Sequence, residues 1–202
     1  MKYSLFEGID GKHHTYTDLE KFCLKNVDYN IVTQNGVACC CLSHIKLIED
    51  LVANHFHPFS DDKDCGASFA VICEDDIDFA VDTNNINNII NDIMGKIDVH
   101  TTSIVFLGQG IQHKPRTKKI CDLNNSHALY NCNYQWCEQG TVAYLITKHG
   151  ATNILYKYFH GQCNRAIDFF YIDHIQNAYI VYPPLMLQDN NIPSTIEGIG
   201  GH

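Results

Sequence analysis

Phe69-Ala70-Val71-Ile72-Cys73-Glu74-Asp75-Asp76-Ile77-Asp78 decides how this chain is read, because a run of strand-forming apolar residues ends abruptly in adjacent carboxylates. The lack of alternation predicts a strand covered on both faces, as in the middle of an α/β sheet. Such sheets hold their ligands beyond the C-terminal ends of the strands, so a site is expected at Glu74 to Asp76. Carboxylates crowded in a partly dry cleft repel one another, and a divalent cation with hard oxygen ligands relieves that repulsion. Taken alone, the cluster reads equally as a solvated turn.

Working upstream, Ala38, Cys41, Leu42, Ile45, Ile48 and Val52 recur at helical spacing after Asn35-Gly36, predicting an amphipathic helix that carries Ser43 and His44. Before it, residues 3–7 predict a short strand stopped by Gly8-Ile9-Asp10-Gly11. Leu19, Phe22 and Cys23 predict a short helix capped by Thr17 or Asp18. Downstream, Ile86, Ile89, Ile90, Ile93 and Ile97 share one face of a helix over 84–97. A second apolar strand is expected at 103–107, ended by Gly108-Gln109-Gly110. Residues 113–133 show no sustained period and read as a long excursion with room for a hairpin. A strand over 140–147 leads into a helix containing Ala151, Ile154, Leu155 and Tyr158. Asp168 stands in the apolar, helix-like run 166–173, where a carboxylate must be paired or functional. A strand over 178–182 is followed by Pro183-Pro184-Leu185 and a tail without helical or strand period.

A length of 202 residues suits a single α/β domain, taken as 1–202. With 14 Lys and Arg against 23 Asp and Glu, the net charge of -9 disfavours nucleic acid as a partner. Lys114, Arg116, Lys118 and Lys119 form the basic cluster, read as a solvated loop or a contact for an anionic substrate. No signal-peptide core and no apolar run of membrane-spanning length occur, so a soluble, cytoplasmic chain without a transmembrane segment is expected. The ten cysteines, with Cys39, Cys40 and Cys41 consecutive, are expected to be mostly small buried thiols. Cys132, Cys137 and His127 are a zinc alternative, but their spacing matches no common structural site. Asp61, Asp62 and Asp64 resemble half of a calcium loop that lacks its glycine and distal Glu, and read as a solvated loop. Trp136 is a stacking platform for a sugar ring or a core residue.

Several stretches, in order along most of the chain, resemble glycosyltransferase family 25, which includes bacterial lipooligosaccharide galactosyltransferases and collagen galactosyltransferase domains. Gly36, Cys40, Leu42, Ser43 and His44 are similar to its G-x-x-x-C-x-L-S-H helix, and Glu74-Asp75-Asp76 to its E-D-D segment. Gly140-Thr141, Ala143-Tyr144-Leu145-Ile146 and Gly150-Ala151 resemble its G-T-x-A-Y-L-I strand and following helix. Ala166-Ile167-Asp168 resembles its P-V-D, and Pro184, Leu185, Gln188, Ser194 and Ile196 its closing P-L-x-x-Q and S-x-I.

The resemblance implies a GT-A-like (Rossmann-like) α/β fold, a mixed sheet flanked by helices. It implies an inverting hexosyltransferase that moves galactose or glucose from a UDP-sugar to a glycan or protein-linked hydroxyl. The implied cofactor is Mn²⁺, or Mg²⁺, held by Glu74 and Asp76 as an E-x-D version of a D-x-D site, where it would stabilise the departing UDP. Asp168 is the candidate general base that an inverting enzyme needs, with a second, metal-linked role as the competing reading. Ser43, His44, Asp75, Gly140 and Thr141 fall near the donor, and Trp136, Gln188 and Ser194 at the acceptor or C-terminal site. Cys39 stands where the family has glycine, and Ala166 where it has proline. The chain begins at a point resembling the family's second strand, so weak uridine binding and poor discrimination between UDP and GDP are expected. Two other readings compete: a catalytically weak or inactive domain of the same fold that binds sugar or protein, and a metal-dependent phosphodiesterase. The latter lacks a second His and Asp set spaced for two metals.

Overall fold

Two faces of one sheet, each covered by helices, account for the apolar pattern. The computed structural model describes residues 4–9, 35–55, 69–109, 114–132, 141–160, 166–189 and 191–192. The expected helix at 17–23, the Asp61 to Asp64 loop, and Trp136, Cys137, Gly140 and Ser194 lie outside the described residues.

The elements are α1 (Asn35–Asp50), a π-helical turn (Leu51–His55), β1 (Phe69–Cys73), β2 (Ile77–Phe79), α2 (Thr83–Met94), β3 (Ile104–Phe106) and β4 (Gly108–Gln109). They continue with β5 (Lys119–Asp122), β6 (Ala128–Asn131), β7 (Ala143–Thr147), α3 (Lys148–Phe159), α4 (Ile167–His174), β8 (Ala178–Tyr182) and β9 (Met186–Gln188). A six-stranded sheet runs in the order β1-β7-β3-β8-β6-β5, and a three-stranded sheet in the order β2-β9-β4. The large sheet is mixed: β3 and β8 are parallel, and its other pairs are antiparallel. This is the mixed α/β architecture that was expected, with helices on both faces.

Strand alternation sorts the core. Ile72, Ile104, Phe106, Tyr144, Ile146 and Ile180 pack with residues of α1, α3 and α4, including Ile45, Ile154 and Tyr171. The intervening Val105, Ala143, Leu145 and Val181 pack with Ile86, Ile89, Ile90 and Ile93 of α2. Burying such a side chain stabilises by about 1.5–3 kcal/mol, so the isoleucine stripe outweighs the poor helix propensity of the asparagines beside it. Asp82 caps α2, its side chain accepting from the backbone N–H groups of Asn84 and Asn85.

Three expectations are corrected. Among the described residues β1 pairs only with β7, at the sheet edge and not in its middle. Its apolar run reports coverage from both faces, with Ile72 in one core and Phe69 and Val71 against the other; the number of strand neighbours leaves no such trace. Residues 4–9 form no strand; the Ile9 N–H donates to Ser43 Oγ at 2.8 Å, tying the segment to α1, while Leu5 is exposed. Beyond Pro184, β9 does form, because it finds β2 and β4 as neighbours despite being too short to display a period. The room for a hairpin in 113–133 is taken by β5 and β6, which pair antiparallel.

Gly150 opens α3 where the helix touches β3. A Cβ there would lie 2.0 Å from the Ser103 carbonyl oxygen and 2.6 Å from its carbon, both backbone atoms. Gly150→Ala is expected to cost about 1–3 kcal/mol or more, because α3 must lift off the sheet to make room. Chemical denaturation measures this, and a change below about 0.5 kcal/mol would show that the contact yields.

Candidate functional site

Glu74 extends the pleat of β1 by one residue. Its backbone N–H donates to the Val142 carbonyl at 3.0 Å, and alternation from Ala70 and Ile72 carries its side chain toward α1. There it meets residues from two other elements. Thr141, just before β7, donates its hydroxyl to Glu74 Oε1. His44, on α1, places Nε2 at 3.4 Å from the same oxygen. Behind His44 a polar chain runs into the core: Nδ1 lies 2.8 Å from the Tyr144 hydroxyl, and that hydroxyl 3.0 Å from the Tyr171 hydroxyl on α4. One proton arrangement satisfies all of them. Tyr171 donates to Tyr144, Tyr144 to Nδ1, and Nε2–H points at the carboxylate. Burial pushes both phenols up, which keeps their protons in place.

Burial also pushes Glu74 upward, but the hydrogen bonds from His44 and Thr141, and then attraction to His44, outweigh it and leave the carboxyl below its ordinary range. A lowered folded value means that the folded state takes up this proton less readily than the unfolded chain. The stability Glu74 contributes is therefore complete above the ordinary carboxylate range and is lost as pH falls through its lowered folded value. Glu74→Gln is expected to melt below wild type at neutral pH and to converge with it in acid. A gap that stays constant with pH would contradict this account of the carboxylate.

Asp75 and Asp76 turn the chain into β2, and the small sheet brings the C-terminal strand against them. Ile77 is paired with Gln188 in the register, the Asp189 N–H donates to the Asp76 carbonyl at 2.7 Å, and Gln188 Nε2 donates to Asp76 Oδ2 at 2.9 Å. The other carboxylate oxygen, Oδ1, is buried without a hydrogen-bond partner. Such an oxygen is costly unless something is meant to bind it. Asp75 is exposed.

Asp168 sits half-buried in the first turn of α4, where the helix dipole favours a negative charge. Its place relative to the other acids is marked by Cys40. Burial pushes that thiol up to about 12, helped by the charges of Glu74, Asp168 and Asp76. The charges of all three carboxylates thus act on one thiol.

Ser43 has a different task from its neighbour. Its hydroxyl donates to the Cys39 carbonyl at 2.7 Å and accepts from Ile9 N–H, so it fastens residues 4–9 to the helix. The sequence marks Cys40 and Tyr144 as motif residues only and does not mark Tyr171, and it names none of the three as a site residue. The i, i+4 spacing of Cys40 and His44, which stacks them on one helix face, was the available signal. Among the described residues, His, Cys and carboxylate groups converge in threes only at Cys40, His44 and Glu74, with their ligand atoms within 4.8 Å of one another. These residues form a group able to hold a metal ion.

The zinc alternative at Cys132 is corrected. Cys132 is disulfide-bonded, its partner lying outside the described residues, while Cys39, Cys40, Cys41, Cys73 and Cys121 are free thiols. His127 lies in the β5–β6 turn with Nδ1 bonded to the Asn125 carbonyl at 2.8 Å. In the basic cluster, Lys119 opens β5, not a loop, and pairs with Asp122 at the strand's other end. No helix among the described residues is long and apolar enough to cross a membrane.

No curated protein matches the sequence. A family model described as Glycosyltransferase family 25 (LPS biosynthesis protein) matches residues 1–171, the span that carries α1, the carboxylate turn, β7 and the start of α4. With most of its length matched, the chain belongs to glycosyltransferase family 25.

Proposed function

We propose that this chain is an inverting, metal-dependent glycosyltransferase of GT-A type that moves a hexose, galactose or glucose, from a UDP-sugar to a hydroxyl of a glycan or of a protein-linked acceptor. The observation that carries the reading is Asp76: one carboxylate oxygen is held by Gln188 while the other is buried and unpartnered, beside a strand end where Glu74 is already held ionised. An orphaned carboxylate oxygen next to a second carboxylate fits a hard divalent cation, so Glu74 and Asp76 are the residues that would hold Mn²⁺ or Mg²⁺. When bound, that ion would neutralise the diphosphate and the charge that develops on the departing UDP.

The remaining work falls to the chain's own groups. Thr141 and His44 are positioning residues: they keep Glu74 ionised and aimed. Gln188 aims Asp76 through its hydrogen bond, which links the C-terminal strand to the proposed donor site. Asp168 is the general base, accepting the acceptor hydroxyl's proton as that oxygen bonds to the anomeric carbon and the sugar–phosphate bond breaks. By resemblance to the family, Asp75, Gly140 and Ser43 are assigned to the donor, and Trp136 and Ser194 to the acceptor.

Incubation with a panel of UDP-sugars and Mn²⁺, followed by UDP release, tests this. Release from one or two donors, dependent on metal and faster with a glycan acceptor, is expected. No release from any donor, with a folded protein, would favour a sugar- or protein-binding domain of the same fold.

A further inference from the structure

Cys40 and His44 lie one turn apart on α1, and Glu74 reaches them from β1, so three different donor types converge within 4.8 Å. The spacing of two of them is telling. His44 Nε2 and Glu74 Oε1 are 3.4 Å apart, and two ligands each about 2.1 Å from a tetrahedral zinc ion are separated by about that distance. The support around them is also that of a metal site. A metal-bound imidazole nitrogen needs its other ring nitrogen to donate to an oxygen, and Nδ1 faces the Tyr144 hydroxyl at 2.8 Å. Both tyrosine hydroxyls can reverse direction, so Nδ1–H can donate to Tyr144 and Tyr144 on to Tyr171, which frees Nε2 to ligate. Thr141 fixes the carboxylate through its hydroxyl.

We propose that Cys40, His44 and Glu74 form a binding site for Zn²⁺ or a similar borderline transition-metal ion, distinct from the carboxylate pair that takes the hard catalytic cation. A thiolate, an imidazole and one carboxylate suit zinc, whereas Mn²⁺ and Mg²⁺ prefer oxygen donors throughout. Three protein ligands leave a fourth position open, and binding releases the Cys40 thiol proton to solvent. Glu74 is common to both sites. Resting on the proposed role of Glu74 in holding the catalytic cation, zinc in this site withdraws that ligand and inhibits the transferase.

The test is a zinc titration of the full chain by calorimetry, together with the absorption spectrum of the Co²⁺-loaded protein. The sequence carries ten cysteines and twelve histidines, so differences between variants, and not total uptake, decide the outcome. Cys40→Ser is expected to weaken the tightest zinc site by at least about tenfold and to abolish the thiolate-to-cobalt charge-transfer band. Asp76→Asn is expected to keep both. If Cys40→Ser keeps its zinc affinity and the band, the site is elsewhere and the proposal fails. If Asp76→Asn loses as much zinc affinity as Cys40→Ser, the ion sits on the carboxylate pair and the proposal also fails. Zinc binding that survives in a protein showing no metal-linked UDP binding would overturn the transferase reading while leaving the triad site standing.

Discussion

Asp168→Asn is expected to lower turnover by about 10² to 10⁴ while leaving donor binding and the fold intact. The amide keeps the size of the carboxylate but cannot take the acceptor's proton. Asp168 occupies the first turn of α4, half-buried, with its charge acting on Cys40 together with the charges of Glu74 and Asp76. Its charge thus acts on the same thiol as the charges of the two proposed metal ligands. A structural role would give a different signature: the variant would melt earlier and lose UDP binding along with turnover. Wild-type turnover in a stable Asp168→Asn protein would exclude the base role.

Glu74→Ala and Asp76→Ala are each expected to cost about 10² to 10³ in turnover, the usual loss when one group that stabilises developing charge is removed. The two should differ in what else they disturb. Glu74 accepts from Thr141 and faces His44, so its removal leaves buried polar groups without their partner and lowers stability as well. Asp76 offers an oxygen that is unpartnered and accepts a single side-chain bond from Gln188, so its removal should leave melting close to wild type. Turnover assays over a range of Mn²⁺ concentration, paired with thermal melting, separate these effects. Activity in Asp76→Ala restored by excess metal would indicate a ligand of minor weight.

The helices and longer strands were legible because their patterns are physical consequences of burial. The isoleucines of α2 all lie in one core, and β7 shows both cores in its alternation. What was not legible depends on partners distant in sequence. β9 is three residues long and exists through its pairing with β2 and β4. The edge position of β1 followed from strand order, which side-chain composition does not encode. At the site, the carboxylates and His44 could be named from the chain, whereas their coupling could not. Tyr144 and Tyr171 are core residues, yet their hydroxyls carry the hydrogen-bond line behind His44. Gln188 could be named from sequence, but its bond to Asp76 crosses 112 positions and required the small sheet.

The central claim is that Asp76 and Glu74 bind the nucleotide diphosphate through a divalent cation. Calorimetric titration of UDP into the protein, with and without Mn²⁺, in wild type and in Asp76→Ala, tests it most directly. The account predicts that wild type binds UDP at least about tenfold more tightly with Mn²⁺, a difference of about 1.4 kcal/mol, and that Asp76→Ala shows no such gain. Equal UDP affinity with and without metal in wild type, or an undiminished metal effect in Asp76→Ala, would contradict it.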